Sequence, residues 1–272
     1  MLFRDNLLIM FRTPPGQTNL RGVIIMWRVI ADFHTHTKYS HGTGTIMDNA
    51  LEAQRQGLET LGIADHGPAN WGHIGTTALA EFDQIIAECR KVQAQFSGLK
   101  ILAGTEANLI GYNGELDIPL EMQRKLDQVL AGFHLTIKPK DLRTGFQFAS
   151  RWAMAKMSER GRQYARVENT KAMVATVYQN EIDIITHPGL GISIDTCELA
   201  RACVKKDTAL EINAKHGVKS IAFIQTAAKE GVKFAIGSDA HQPEKVGRLE
   251  AGLHAAKQAG LRADQLINVV DD

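Results

Sequence analysis

Residues 32–42 read DFHTHTKYSHG and place three histidines, His34, His36 and His41, within eight residues. They end an apolar run, VIIMWRVIADF at residues 23–33, which has the composition of a buried strand. Alternate residues of a strand point to the same face, so His34 and His36 can bind one ion together. A His-x-His pair alone is a weak motif, because a histidine after a strand is more often a hydrogen-bonded loop residue. The stretch therefore indicates a metal site only if further ligands converge on it.

The rest of the chain alternates short, apolar, β-rich runs with longer helical patterns. The predicted strands span residues 27–33, 58–64, 100–104, 128–133, 182–186, 208–212 and 233–237. Such alternation is typical of βα units, so the pattern predicts an α/β fold built on a parallel sheet.

Residues of the types that can bind metals follow nearly every predicted strand. They are His34 and His36, Asp65 and His66, Glu106, His134, His187, and Asp239 with His241, while Asn213 follows the sixth strand. In a closed parallel barrel the carboxyl ends of the strands meet on one face. Six independent strand ends that carry His, Asp or Glu are hard to produce by chance. The pattern therefore predicts a metal site at that face.

The composition limits the class of protein. The chain has 272 residues, of which 44% are hydrophobic, enough for one large α/β domain or two small ones. Its net charge of +1 provides no global basic field for nucleic acid. Cys89, Cys197 and Cys203 are too few and too irregularly placed for a disulfide framework, which predicts reduced thiols and a cytoplasmic location. No run approaches the ~18 apolar residues of a membrane helix, so we expect no membrane association.

Residues 1–26 precede the first clear strand and are predicted to be a separate N-terminal arm. The arm is either disordered or the product of an upstream start codon, since Met26 precedes the strand. A secretory signal is disfavoured because NLLIMF is short, is followed by RTPPG and lacks a small-residue cleavage site. We expect residues 27–272 to form the folded domain.

Six motifs together resemble a known family. DFHTHTKYSHG, GIADHGP, GTEAN, AGFH, ITHPG and GSDAH occur in the order of the PHP (polymerase and histidinol phosphatase) domain family. NGELDIP, AGFH and LEIN are most similar to its trinuclear-zinc branch, the YcdX-type phosphatases. The resemblance covers nearly all of residues 27–272. It implies a distorted seven-stranded parallel βα barrel, PHP/TIM-like, with up to three metal ions at the strand ends.

The resemblance also implies nine metal ligands in three groups. The groups are His34, His36, Glu106 and Asp239 for the first ion; Glu106, His134 and His187 for the second; and His41, His66 and His241 for the third. Imidazole and carboxylate ligands suit zinc, and also manganese or iron. Glu106, Asp239 and His134 would serve catalysis as ligands, with a metal-bound hydroxide as nucleophile. Asp65 would either orient a ligand imidazole or be a helix-capping or buried structural residue.

The function that these features predict is metal-dependent hydrolysis of small phosphomonoesters. The sequence has no GxSxG or P-loop motif that would supply another mechanism. One alternative is a 3′ exonuclease acting on single-stranded DNA, which the neutral net charge and the lack of a polymerase module disfavour. Another is a non-catalytic, metal-bound module that binds a partner, which the complete ligand set disfavours. The sixth strand is followed by INAKH, so Lys215 and His216 either alter the pocket or belong to a solvated loop.

Residues 138–168 form a basic insertion that looks longer than the matching loop in the family. The segment has eight basic and three acidic residues, with Phe146, Phe148, Trp152 and Tyr164 interleaved. One hypothesis is a lid beside the metals that attracts a phosphorylated substrate or a strand of nucleic acid. The favoured interpretation is a surface helix whose aromatic residues pack down and whose charges are solvated.

Overall fold

The computed structural model describes residues 27–72, 74–134, 136–215 and 221–271. The strands are β1 Trp27–Val29, β2 Ala31–Thr35, β3 Thr60–Ile63, β4 Lys100–Asn108, β5 Gln128–Gly132, β6 Ile184–Ile185, β7 Ala209–Asn213, β8 Phe234–Gly237 and β9 Val269–Asp271. The α-helices are α1 Ile46–Arg55, α2 Glu81–Gln93, α3 Leu120–Gln123, α4 Leu142–Met157, α5 Glu159–Gln179, α6 Thr196–Lys206, α7 Ile221–Ala228 and α8 Glu250–Gln258. The predicted arm, residues 1–26, lies outside the described residues, and the division into arm and domain stays a prediction.

The central sheet contains seven parallel strands in the order β2-β3-β4-β5-β6-β7-β8. Strands that follow one another in the chain are neighbours in the sheet, as in a βα barrel. The segment that follows β8 lies beside the end of β2, where Thr35 and Ala240 form a parallel bridge. There the His36 amide donates a 2.8 Å hydrogen bond to the Ala240 carbonyl. The sheet is thus a nearly closed barrel, which confirms the predicted α/β, PHP/TIM-like fold.

The first predicted strand, residues 27–33, is two strands in the structure. β1 leaves the barrel and pairs antiparallel with β9, so that Val29 lies opposite Val269. The break falls at Ile30, whose amide donates to the Asn268 carbonyl at 2.9 Å. The Asn268 side chain donates to the Ala31 carbonyl at 2.7 Å. The apolar run is continuous across this break, so its pattern gave no signal of the change of partner.

β4 is longer than predicted and extends to Asn108 instead of ending at Gly104. Its first half pairs with β3 and its second half, from Gly104 onward, pairs with β5. Glu106 therefore lies inside a strand rather than in the loop after it. Because alternate strand residues share a face, Glu106 and Asn108 point to the same side of the sheet.

The core has two layers, one inside the barrel and one between the sheet and the helices. The inner layer is small, with Ala64, Leu130, Ile184, Ala209 and Ala235 buried against one another. Alanines dominate it because a narrow barrel leaves little room for side chains. The outer layer includes the buried apolar face of α2, formed by Phe82, Ile85, Cys89 and Val92.

The predicted basic insertion forms α4 and the first half of α5, between β5 and β6. Asp141 caps α4 by accepting from the Thr144 amide at 2.7 Å. Ser158 is the single residue between the helices and caps α5 by accepting from the Gly161 amide at 3.0 Å. The two helices therefore reverse direction sharply beside the carboxyl end of the barrel. Across the described ranges, no helix combines the length and the apolar character needed to cross a bilayer.

Candidate metal centre

The structure brings the nine sequence-predicted ligands together at the carboxyl ends of the parallel strands. Three groups of three residues can be formed in which the ligand atoms lie within 4.8 Å of one another inside each group. The groups are His34, His36 and Asp239; His66, Glu106 and His134; and His36, His66 and His241. His187 and His41 lie beside these groups.

Glu106 is at the middle of the cluster and is 1% exposed. Its Oε1 lies 3.1 Å from His134 Nε2 and 3.0 Å from His187 Nε2. Its Oε2 lies 3.2 Å from His34 Nε2 and 3.1 Å from His66 Nδ1. Each oxygen thus faces its own pair of imidazoles, which is the arrangement of a carboxylate able to bridge two cations.

His34, His36 and Asp239 form the part of the cluster that the His-x-His motif predicted. His36 Nε2 lies 3.1 Å from His34 Nε2 and 3.5 Å from Asp239 Oδ1. β2 carries a register shift against β3 between Asp32 and Thr35, so the strand is irregular where these histidines leave it. Such irregularities commonly re-aim side chains next to active sites.

The third predicted group contains His41, His66 and His241. The His41 ring centroid lies 5.1 Å from that of His66 and 4.1 Å from that of His241. His41 Nδ1 lies 3.0 Å from the Ile74 carbonyl, which leaves Nε2 as the nitrogen available to a ligand. His36 is near this group as well as the first, since its ring centroid lies 4.3 Å from that of His241. The side chains are brought together, but their assignment to individual ions stays a proposal.

Hydrogen bonds set the orientation of several of these imidazoles. His34 Nδ1 donates to Glu211 Oε1 at 2.6 Å, and His134 Nδ1 donates to Asn108 Oδ1 at 2.8 Å. The acceptors assign the proton to Nδ1, so the Nε2 lone pair of each ring points into the cluster. A donor on the far nitrogen of each ligand imidazole is the usual arrangement in metal sites.

Two buried ring nitrogens, His36 Nδ1 and His66 Nδ1, have no hydrogen-bond partner among the described residues. A buried polar atom without a partner costs roughly 1–3 kcal/mol, so structures rarely leave one unexplained. His66 Nδ1 lies near Glu106 Oε2 without the angle of a hydrogen bond. Unpaired imidazole nitrogens among carboxylates are the donor set that a divalent cation satisfies. The residues present therefore fit a metal site.

The electrostatics of the cluster also fit a cation. Burial opposes ionisation of Glu106, but the surrounding imidazoles, His34 first, hold its pKa well below its usual range. Burial lowers the pKa of His36 to about 3, which keeps that ring neutral. Burial also lowers the pKa of His34, but Glu211 and Glu106 outweigh it and raise that pKa well above its usual value, so a cation would have to displace a proton from this ring. Ionised carboxylates and neutral imidazoles are the forms that bind divalent metals.

Backbone strain is concentrated at the same place. Among the described residues, three that are not glycine have positive φ, and two of them are predicted ligands, His187 at 26° and Asp239 at 53°. Side chains other than glycine rarely adopt this region, at a cost of about 1–3 kcal/mol, and such residues cluster at functional sites.

Glu211 is a site residue that the sequence reasoning missed. It is 3% exposed within β7, and besides His34 it accepts a 2.7 Å hydrogen bond from the His187 amide. One carboxylate therefore positions two predicted ligands from strands far apart in the chain. The available signal was an acidic residue inside the apolar strand LEIN, where an unpaired charge would be costly.

Asn108 is the second missed residue, two positions after Glu106 on the same strand. Besides its bond to His134, its Nδ2 donates to Asp117 Oδ2 at 2.7 Å. Asp117 belongs to the NGELDIP motif and also accepts from the Asn108 amide at 2.7 Å. This motif therefore supports a ligand imidazole through Asn108, without contacting the cluster itself.

Asp65 does not orient an imidazole. Its carboxylate accepts from the Thr37 amide at 2.7 Å, from Thr37 Oγ1 at 2.6 Å and from Ser40 Oγ at 2.6 Å. These bonds tie down the loop between His36 and His41. The structure thus gives Asp65 the buried structural role rather than the orienting role.

Lys215, noted as a departure from the family, lies beside the cluster. Its Nζ is 3.5 Å from Asp239 Oδ2, and its side chain is 54% exposed. Asn213 Nδ2 donates to the same Asp239 oxygen at 3.3 Å. Lys215 therefore alters the charge at the edge of the centre, whereas His216 lies outside the described residues.

Comparisons with known proteins agree with this geometry. The PHP domain family matches residues 32–215. A probable phosphatase of Thermoanaerobacter sp. (strain X514) is 34% identical over 252 residues, 89% of this chain and 91% of that protein. A probable phosphatase of Acetivibrio thermocellus is 30% identical over 253 residues, with 89% and 91% coverage. The chain belongs to the PHP domain family.

A solved structure has a similar fold. Histidinol phosphate phosphatase of Lactococcus lactis, crystallised with zinc, L-histidinol and phosphate, aligns with a TM-score of 0.58 at 18% identity. The alignment covers 85% of this chain and 94% of that one. The family resemblance found in the sequence is confirmed, and so is the prediction of a phosphatase-class hydrolase, because the relatives carry that name.

Proposed function

We propose that this chain is a metal-dependent phosphatase that hydrolyses small phosphomonoesters. The observation that carries the proposal is Glu106, whose two carboxylate oxygens each face a separate pair of imidazoles at the carboxyl end of the barrel. The names of the relatives support the phosphatase class. The buried, unpaired nitrogens of His36 and His66 support the dependence on metal.

The proposed cofactors are three divalent ions, with zinc as the first choice and manganese or iron as alternatives. The proposed ligands are His34, His36, Glu106 and Asp239; Glu106, His134 and His187; and His41, His66 and His241. When bound, such ions supply Lewis-acid activation of water and neutralise charge on the phosphoryl oxygens. Glu106, Asp239 and His134 are thus proposed to be catalytic as ligands.

The chain's own residues prepare the site for this chemistry. Glu211 and Asn108 hold the protons of His34 and His134 on Nδ1, so that both Nε2 atoms point into the cluster. Lys215 places a cation at the solvent edge, where a phosphate oxygen of a substrate would approach. The active site therefore needs no Ser or Cys nucleophile.

The exonuclease alternative ranks second. The observation that favours it is the basic, aromatic pair of helices, α4 and α5, beside His134. A DNA strand needs a groove that follows several phosphates, normally lined with cations and stacking aromatic residues. Outside residues 138–168 the chain shows no such concentration in its sequence, and its net charge is +1.

The test is a substrate panel with the purified full chain, stripped with a chelator and reloaded with zinc or manganese. We expect phosphate release from phenyl phosphate and from glycerol 2-phosphate, weak or no shortening of single-stranded DNA, and loss of activity on chelation. Efficient shortening of DNA with no monoesterase activity would reverse the ranking. Metal binding without hydrolysis of any substrate would favour the partner-binding module.

A further inference from the structure

A cavity of about 860 Å³ lies between the α4–α5 pair and the carboxyl end of the barrel. His134 lines it, so the cavity opens onto the candidate metal centre. Its volume is within the range of ligand pockets, about 300–1,000 Å³, and is far larger than a phosphate group alone requires. The remaining space is available to the part of a substrate that leaves when phosphate is released.

Five of the residues that line this cavity are phenylalanine, tyrosine or tryptophan. Phe148 of α4 lies with its ring centroid 4.7 Å from that of Tyr112 and 5.3 Å from that of Phe133. Trp71 and Trp152 also line it and are 60% and 51% exposed. Aromatic faces bind planar rings by offset or edge-to-face packing. The shape and lining therefore favour an aromatic leaving group.

The ionisable residues that line the cavity, apart from Tyr112 and His134, are all cationic: Arg151, Lys156 and Arg162. In the part of the chain that the structure describes, no aspartate or glutamate is among the lining residues. Arg162 pairs with Glu159 at 2.6 Å and Arg151 pairs with Glu168 at 2.9 Å, but neither glutamate lines the cavity. The charge on its walls therefore favours an acidic group on the leaving group and disfavours an ammonium group.

Arg151 is built into the wall and is only 9% exposed. Its guanidinium lies 3.7 Å from the centroid of the Tyr112 ring, and its Nη2 donates to Glu168 at 2.9 Å. Its Nη1 is buried and, within the part of the chain that the structure describes, has no hydrogen-bond partner. A buried guanidinium nitrogen without a partner is costly, and a carboxylate is its preferred acceptor. The burial of Arg151 departs from the interpretation of the insertion as a solvated surface.

We propose that this cavity binds the leaving group of the substrate, and that this group is aromatic and carries an acidic substituent such as a carboxylate. The inference rests on the proposed phosphatase function and adds the substrate class. Trp152 supplies a stacking face, and Lys156 with Arg162 supplies the charge, while Arg151 anchors the wall. All four residues are proposed to determine which substrate binds and to take no part in the phosphoryl chemistry.

The experiment compares four phosphomonoesters: phenyl phosphate, 4-carboxyphenyl phosphate, 4-(aminomethyl)phenyl phosphate and glycerol 2-phosphate. We expect kcat/KM to be highest for the carboxyphenyl ester. Trp152→Ala should lower kcat/KM for the aryl esters by about three- to tenfold, the worth of one aromatic contact, and should lower it less for glycerol 2-phosphate, which has no ring to stack. Phe146→Ala is the matched control, because Phe146 is on the same helix, is 75% exposed and does not line the cavity.

Binding of 4-hydroxybenzoate, the phenol released from the carboxyphenyl ester, gives a readout independent of turnover. We expect calorimetry to show binding to the wild type and to Phe146→Ala, and at least about threefold weaker binding to Trp152→Ala. Equal kcat/KM for the carboxyl and aminomethyl esters, or equal effects of the two variants, would overturn the inference. If no ester is hydrolysed, the phosphatase proposal fails. In that case, weaker 4-hydroxybenzoate binding by Trp152→Ala than by the wild type and Phe146→Ala would still support the cavity as a site for acidic aromatic ligands.

Discussion

The strand-end cluster and the α4–α5 pair lie side by side but are built in opposite ways. In the cluster, buried imidazoles are oriented by hydrogen bonds at the ring nitrogen that faces away from the cluster, as His34 is by Glu211. On α4, by contrast, large hydrophobic residues face solvent, with Leu142 93% and Phe146 75% exposed. The first region is fixed by mutual contacts, and the second presents an adaptable surface. We infer that the cluster sets the chemistry and that the helix pair sets which substrate is accepted.

The largest effect should come from the residue that joins the metal groups. Glu106→Gln keeps the size of the side chain but weakens both carboxylate oxygens as ligands, so it should remove more than one ion per chain. Turnover should fall by more than about a hundredfold, because even residues that only support a ligand cost 10- to 100-fold. Metal analysis and phosphate release measure the two effects, with exposed Glu121→Gln as the control. A fully active Glu106→Gln variant with unchanged metal content would remove the bridging assignment.

A smaller effect on metal binding is expected from changes at Glu211, which contacts His34 and His187 but is not one of the nine predicted ligands. Glu211→Gln can still accept from His34 Nδ1 but loses the charge, so zinc affinity should fall by about 10- to 100-fold. Glu211→Ala should weaken binding further, and excess zinc should restore part of the activity of both variants. Competition with a chromophoric chelator measures the affinity. Unchanged affinity in both variants would show that His34 does not depend on Glu211.

The two regions also differ in how far the sequence predicts them. Eight of the nine proposed ligands were predictable from the strand pattern, because they lie at or near the carboxyl ends of parallel strands, which meet at one face; His41 came from the family resemblance. Glu211 and Asn108 were not, since nothing in their spacing relates them to His34 or His134, the rings that they orient. The length of β4 was also missed, because the pairing of its second half with β5 is a tertiary contact.

The α4–α5 pair was predictable only as an insertion. Its mixture of charge and aromatic residues is compatible with a lid, although a surface helix with solvated charges is the interpretation that the sequence favours. The burial of Arg151 depends on Tyr112, which precedes it by 39 positions and belongs to another part of the fold. Helical periodicity within the segment contains no information about that contact.

The smallest effect, and one confined to substrate binding, should come from charges on the helix pair. Lys156→Ala with Arg162→Ala removes two cations that line the cavity, so KM for 4-carboxyphenyl phosphate should rise by about three- to tenfold at low salt. Its dependence on salt should weaken, while metal content stays the same. Arg143→Ala with Arg160→Ala is the matched control, since both residues are exposed and neither lines the cavity. If both double variants behave alike, the charge of the cavity does not select the substrate.

The most direct test of the metal centre is the zinc content of the full-length wild-type chain. The protein would be stripped with a chelator, reloaded with excess zinc, freed of loosely bound metal and analysed by plasma mass spectrometry. The nine proposed ligands, with Glu106 as the proposed bridge, predict more than one and up to three zinc ions per chain, together with phosphatase activity that returns as the ions are restored. A chain that retains one ion or none, or that releases phosphate equally well after stripping, would contradict the account.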